Sequence, residues 1–172
     1  MSDQVPLSIP ADGSLKVLAV PVIEVPSAPS IEELTAPEVF ELQCYLSADG
    51  WNPSTDEQVS VDDRLCDRQT YERRGRFSDS LEITYVYQGQ DMDAEDNKAF
   101  AMLRAGETGF LVPRWGLDHE LPVEVGDLVE VYPVEYGLQR KQPPEANGRL
   151  RITQKVFVTG PTQRDVEVVA AS

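Results

Sequence analysis

The residues of this chain that could do chemistry are few and scattered. Its single histidine, His119, stands in GLDHEL between Asp118 and Glu120, a setting that reads as a turn. Cys44 and Cys66 have no close-spaced partner of the kind a zinc site needs. Both fall in segments read as β, where a free thiol is expected to be buried like a small apolar group. The loop QDMDAED places Asp91, Asp93, Glu95 and Asp96 close together, as in a calcium loop. It lacks the central glycine and the closing bidentate glutamate, so capping of a following helix explains Asp93 to Asp96 more simply. Carboxylate pairs such as Glu24 and Glu38 have no defined separation, which leaves a glycosidase reading unsupported. There is no Gly-rich phosphate loop and no GxSxG elbow. The sequence therefore assigns no catalytic, cofactor-binding or metal-ligating residue, and a non-enzymatic protein is expected.

The elements that would have to position such residues read as strands. Leu15 to Ile23 is an apolar run with Pro21 inside it, which suggests an edge strand or a bulge. Residues 24–38 are a long loop with at most one helical turn near Ile31 to Leu34. Val39 to Leu46 is a strand. Residues 47–60 are a second long loop, because Asp49-Gly50 and Asn52-Pro53 are strong turn signals. Trp51 at its centre either folds back on its own domain or docks on a neighbouring subunit. Gln69 to Arg74 reads as a short strand. In Ser80 to Gln88, Leu81, Ile83, Tyr85 and Tyr87 share one face. A helix over about residues 95–105 follows and stops at Gly106. Thr108 to Trp115, Leu128 to Tyr136 and Leu150 to Thr159 are further strands, with a loop over 137–148.

This pattern predicts a mainly β chain: an antiparallel β-sandwich or barrel with one flanking α-helix and extended arms or loops. Its 172 residues are read as an N-terminal arm (1–14), a β-sandwich domain (15–160) and a C-terminal strand or arm (161–172). Removing 161–172 is expected to leave a folded subunit.

The net charge is −15, from 15 basic and 30 acidic residues. That argues against sequence-reading DNA binding and against anionic membranes, both of which need a basic footprint. Arg64, Arg68, Arg73, Arg74 and Arg76 stand out, interleaved with Asp62, Asp63, Asp67 and Glu72. Mixed signs suit salt bridges, within a subunit or between identical subunits. Arg149, Arg151 and Lys155 share one strand face and are expected to meet Glu130 and Glu82, either across strands or between subunits. No apolar run approaches a membrane span, and MSDQVPLSIPADG lacks the marks of a secretory signal, so the cytoplasm is the expected place of assembly.

The segments DRLCDRQTYERRGR, SLEITYVYQ, DNKAFAMLRAGETGFLVPRWG, VGDLVEVYPVEYG and NGRLRITQKVFVTG, in that order over Val59 to Gly160, resemble the major tail tube proteins of long-tailed bacteriophages, especially those of actinobacteria. The resemblance implies a structural virion protein of the tail. Such subunits self-assemble into hexameric rings that stack into a hollow tube, the conduit for genome delivery. It implies a tape-measure protein, a tail terminator and distal tail proteins as partners, DNA passing through the lumen, and no cofactor or membrane binding. A long loop and terminal arms would contact neighbours. The alternative of similar build is another phage structural part: a tail terminator, head–tail connector or capsid decoration protein.

Overall fold

The computed structural model describes residues 4–171. Its strands are β1 (Leu15–Val20), β2 (Phe40–Glu41), β3 (Leu46–Val61), β4 (Glu72–Val86), β5 (Thr108–Trp115), β6 (Leu128–Lys141), β7 (Arg151–Val158) and β8 (Gln163–Glu167). They form one eight-stranded sheet in the order β2-β1-β5-β6-β7-β4-β3, with β8 paired to β6 off that path. All of these pairings are antiparallel. Helix α1 (Ile31–Leu34) is a single turn closed by a Ser30/Glu33 capping box. A 3-10 turn, Glu95–Asn97, leads into helix α2 (Lys98–Met102). The mainly β, antiparallel class with a flanking helix is the one expected from the sequence.

The sheet curls because β6 changes partners along its length. It pairs with β8 near Leu128, with β5 from Tyr132 to Glu135, and with β7 from Val134 to Lys141. A register shift lies between Tyr136 and Gln139. Gly137 sits in it, where a Cβ would stand 2.5 Å from the Lys155 carbonyl oxygen, so only glycine lets the bulged strand pass so close. The curl folds the sheet over itself: the rings of Trp51 on β3 and Tyr132 on β6 meet edge-on at 6.1 Å, although these strands are not neighbours. Trp51 thus packs on its own domain.

Two cores result. The enclosed one takes Val17, Leu111, Val134, Ile152, Leu81 and Ile83 from five strands and is plugged by Ala99 and Leu103 of the α2 segment. The other lies on the far face of β1, β5 and β6, where Leu18, Val112, Val129 and Val131 are roofed by Leu34 and Val168. Adjacent residues such as Val17 and Leu18 serve different cores. This is why LKVLAV and GFLVP read as continuous apolar runs rather than alternating ones.

Several expectations are corrected. Residues 47–60 are not a loop but most of β3, paired with β4 from Trp51 to Val61 with one register shift between Glu57 and Val59. The two strands expected at 69–74 and 80–88 are one, β4. Residues 137–141 belong to β6, not to a loop. The strand expected at 39–46 shrinks to the two residues of β2, followed by a turn. Pro21 falls just beyond β1. The helix is shorter than 95–105, and no side chain caps either of its segments, though Glu95 and Asp96 do form an acidic first turn. Both cysteines are exposed and free, because Cys44 and Cys66 lie in turns rather than strands.

Candidate functional site

The fold does not gather the potentially chemical residues. His119 occupies a turn, where its backbone N–H donates to the Gly13 carbonyl at 2.9 Å. Among the described residues, no group of three or more His, Cys, Asp or Glu side chains is arranged to hold a metal ion. The acidic loop is tied up internally. Asp91 Oδ1 accepts the Asp93 N–H, Asp96 accepts from Gln88, and Glu95 pairs with Lys98 at 2.7 Å. Its organiser is Asn97, fully buried, which accepts the Gln88 N–H and donates to the Asp91 carbonyl. Reading the aspartates as caps missed this side chain.

What the interior does with polar groups is hold segments in place. Gln154 is completely buried and donates to the Leu103 carbonyl at 2.7 Å and the Gly137 carbonyl at 2.9 Å, while its oxygen accepts from Tyr85. Gln139 donates to the Tyr85 hydroxyl and to the Phe100 carbonyl. The network fastens α2, too short to persist alone, to the sheet. Burial pushes the Tyr85 hydroxyl up to about 12, so it stays a neutral donor. At the start of β1 and the end of β5, Lys16 and Arg114 grip the 116–127 connection. Arg114 donates to the carbonyls of Asp118, Leu121 and Pro122 and pairs with Asp127. Lys16 donates to His119 and Leu121 and pairs with Glu41 at 2.9 Å.

The surface is where the chain is unsatisfied. Every residue from 52 to 74 is exposed. Beyond Leu81, β4 pairs only with β3, so the distal part of the hairpin is a two-stranded arm that leaves the body. Such a ribbon is marginal alone in water. It nevertheless displays Val59, Val61, Leu65, Tyr71 and Phe77. Its charges are partly matched within the arm, by Arg64–Asp62 and Arg74–Glu57, both exposed. Among the described residues no strand lies beside the outer edge of β3. At the N-terminus Val5, Leu7 and Ile9 are also exposed, on a segment without regular structure. The outward face of β4 and β7 is mixed in sign: Glu82 stands opposite Lys155, and Arg151 turns to Asp49 and Glu145 instead of Glu130. Glu130 accepts from Tyr132. No helix among the described residues is long and apolar enough to cross a membrane.

A curled antiparallel sheet, sealed inside and left with an open edge, a projecting ribbon and an exposed arm outside, defines a subunit of a larger assembly. Its fold is shared with a chain of the 6-fold symmetrised cryo-EM structure of the anti-feeding prophage baseplate, at a TM-score of 0.54 and 10% identity, over 91% of this chain and 96% of that one. The family model of phage tail tube proteins matches residues 2–171, so this chain belongs to the phage tail tube protein family and is a structural component of a phage tail. No curated protein matches it.

Proposed function

We propose that the protein self-assembles into hexameric rings that stack into the tail tube, the conduit through which the genome leaves the virion, and that it has no catalytic role. The observation that carries this is the unbroken exposure of residues 52–74 on an otherwise well-packed subunit. A sixteen-residue edge strand and a bare ribbon are stable liabilities only if another chain covers them. Closing sheets into a ring removes such edges. Within a virion the partners would be the tape-measure protein, the terminator and the distal tail proteins, after assembly in the host cytoplasm.

The charge suits a conduit. Duplex DNA carries one charge per roughly 1.7 Å and binds basic walls by counterion release. Six copies of a −15 chain offer no such wall overall, and the mixed face of β4 and β7 has no basic excess to retain phosphates. Negative-stain microscopy of the purified protein tests the reading. Long hollow tubes with six-fold end views are expected. A persistent monomer would overturn it, single rings would favour a terminator or connector, and trimers a decoration protein.

A further inference from the structure

The chain has three asparagines, Asn52, Asn97 and Asn147, and they stand in different chemical surroundings. Asn52 precedes Pro53, whose nitrogen carries no hydrogen, and its amide donates to the Asp49 carbonyl. Asn97 is buried, its oxygen held by the Gln88 N–H and its amide by the Asp91 carbonyl. Asn147 is exposed in the connection between β6 and β7, and among the described residues no hydrogen bond restrains its side chain. A turn accounts for the residue type. The Gly148 N–H donates to the Glu145 carbonyl at 3.0 Å, and Asn147, third of the four residues, has a φ of 63°. That position needs a left-handed residue, which glycine and asparagine accept most readily. The same turn sets a free carboxamide beside a nitrogen that no side chain shields.

We infer that Asn147–Gly148 is a self-modification site, where the asparagine is converted through a cyclic imide into aspartate and isoaspartate. Asparagine is among the chemically labile side chains. Hydroxide takes the Gly148 amide proton, and the nitrogen attacks Asn147 Cγ. The bond from Cγ to the side-chain nitrogen breaks, and that nitrogen takes a proton from water and leaves as ammonia. Water then opens the imide. Attack at Cγ restores the backbone and leaves aspartate; attack at the main-chain carbonyl leaves the chain running through the side chain, as isoaspartate. The Gly148 N–H must first leave the Glu145 carbonyl. Nothing in the core resists this, because residues 143–150 are all exposed. The connection is otherwise held at its margin, by the Gln142 N–H on the Arg151 carbonyl at 2.9 Å and by the Arg151–Glu145 pair at 3.6 Å. Asp12–Gly13 and Asp49–Gly50 share the glycine, but a carboxylate is a poor electrophile, and its ring opens to a product of unchanged mass. Conversion at Asn147 adds a negative charge two residues from Arg149. Isoaspartate also lengthens the backbone by a methylene, so the turn cannot close on the same atoms.

Trypsin cuts after Lys141 and Arg149, so residues 142–149 leave as one peptide in which Asn147 is the sole asparagine. The purified, folded protein is held in ammonia-free buffer at neutral pH, digested at intervals and read by mass spectrometry. The 142–149 peptide should turn into two separable species of acid mass, the larger a substrate for isoaspartyl methyltransferase. Peptides carrying Asn52 and Asn97 should keep their amides. Gly148→Ala puts a methyl beside the nitrogen, 3.2 Å from the Glu145 carbonyl oxygen. It should slow conversion by about tenfold, a barrier rise of about 1.4 kcal/mol. Asn147→Gly keeps the left-handed turn and should abolish both species. A 142–149 peptide that keeps its amide overturns the site; if the free synthetic peptide is converted in the same buffer, the turn is what bars the attack. Conversion to aspartate alone, conversion undiminished in Gly148→Ala, or acid products that persist in Asn147→Gly through Gln142 also overturn it.

Discussion

Lys16 and Arg114 face each other across β1 and β5 and share one acceptor, the Leu121 carbonyl oxygen, at 3.4 and 2.9 Å. Two like charges in register are normally unfavourable. Here each has its own carboxylate, Glu41 and Asp127, and between them they donate to four backbone carbonyls of the connection, those of Asp118, His119, Leu121 and Pro122. The Lys16 hydrogen bond and its charge hold the Glu41 carboxyl below the usual range against a smaller opposing effect of burial.

Arg114→Met removes the guanidinium and takes the side-chain donor from the Asp118 and Pro122 carbonyls, while Asp127 keeps only the Glu124 N–H and the Leu121 carbonyl only Lys16. The expected loss is about 3–5 kcal/mol, as for breaking a buried pair from one side. Urea denaturation of the subunit measures it. Arg114→Lys keeps the charge but not the fork and should recover only part of the loss. A change below about 1 kcal/mol for Met would show that the 116–127 connection is held by its apolar contacts alone.

Gln154→Leu preserves volume but leaves the Leu103 and Gly137 carbonyls unpaired. A cost of about 1–3 kcal/mol is expected. The local signature matters more: amide exchange in residues 98–103 should accelerate beyond what the global loss accounts for, because α2 is fastened there. Uniform acceleration across the sheet would place the network's role in the core as a whole.

The fold was legible where one face of a strand is wet. Leu81, Ile83 and Tyr85 alternate with exposed or half-exposed neighbours, and β4 could be read from them. β3 was not legible for the opposite reason: no residue from 52 to 61 is buried, so no period exists to read. Its turn signals are real but do other work. Gly50 falls in a register shift, where a Cβ would meet the Thr84 carbonyl at 2.2 Å, and Pro53 is tolerated on a strand with no partner beyond it. The Lys16 and Arg114 grip left only a faint trace, a lone cation inside each of two apolar strands. That the arginines of 64–76 sit on a projecting arm required the pairing of β3 to be known.

Asp79 ties the C-terminal segment to the base of the ribbon. Its burial pushes the carboxyl up, but the hydrogen bond from Thr55 and the charge and hydrogen bond of Arg164, 2.6 Å away, help to outweigh this and hold it below the ordinary aspartate value of 3.8. A depressed carboxyl contributes stability that is complete above its unfolded value and is lost as pH falls through the folded one. The β8 amides should therefore keep their exchange protection from neutral pH down to about 4 and lose it at lower pH, before the sheet does. Asp79→Asn should show the weakened β8 already at pH 7. Equal protection in both proteins at pH 3 and pH 7 would remove Asp79 from this role.

The two ends of the chain's exposed architecture should fail in opposite ways when cut. Val59 and Arg74 are register partners, so residues 60–73 can be replaced by an Asn-Gly turn that closes a shorter ribbon. Every residue removed is exposed, so the subunit should keep its melting temperature within a few degrees while tubes disappear from negative-stain fields. Removing 161–172 does the reverse of what an arm would predict. Val168 is buried, Val166 packs beside it, and the Val169 backbone pairs with Pro29 and Ile31. Loss of the buried Val168 alone costs about 1.5–3 kcal/mol, and the half-buried Val166 adds to it. The truncated subunit should melt early and expose the second core to a hydrophobic dye, failing to build tubes because it no longer folds firmly. A truncated chain with an unchanged melting temperature would return 161–172 to the status of a free arm and place the whole of its effect between subunits.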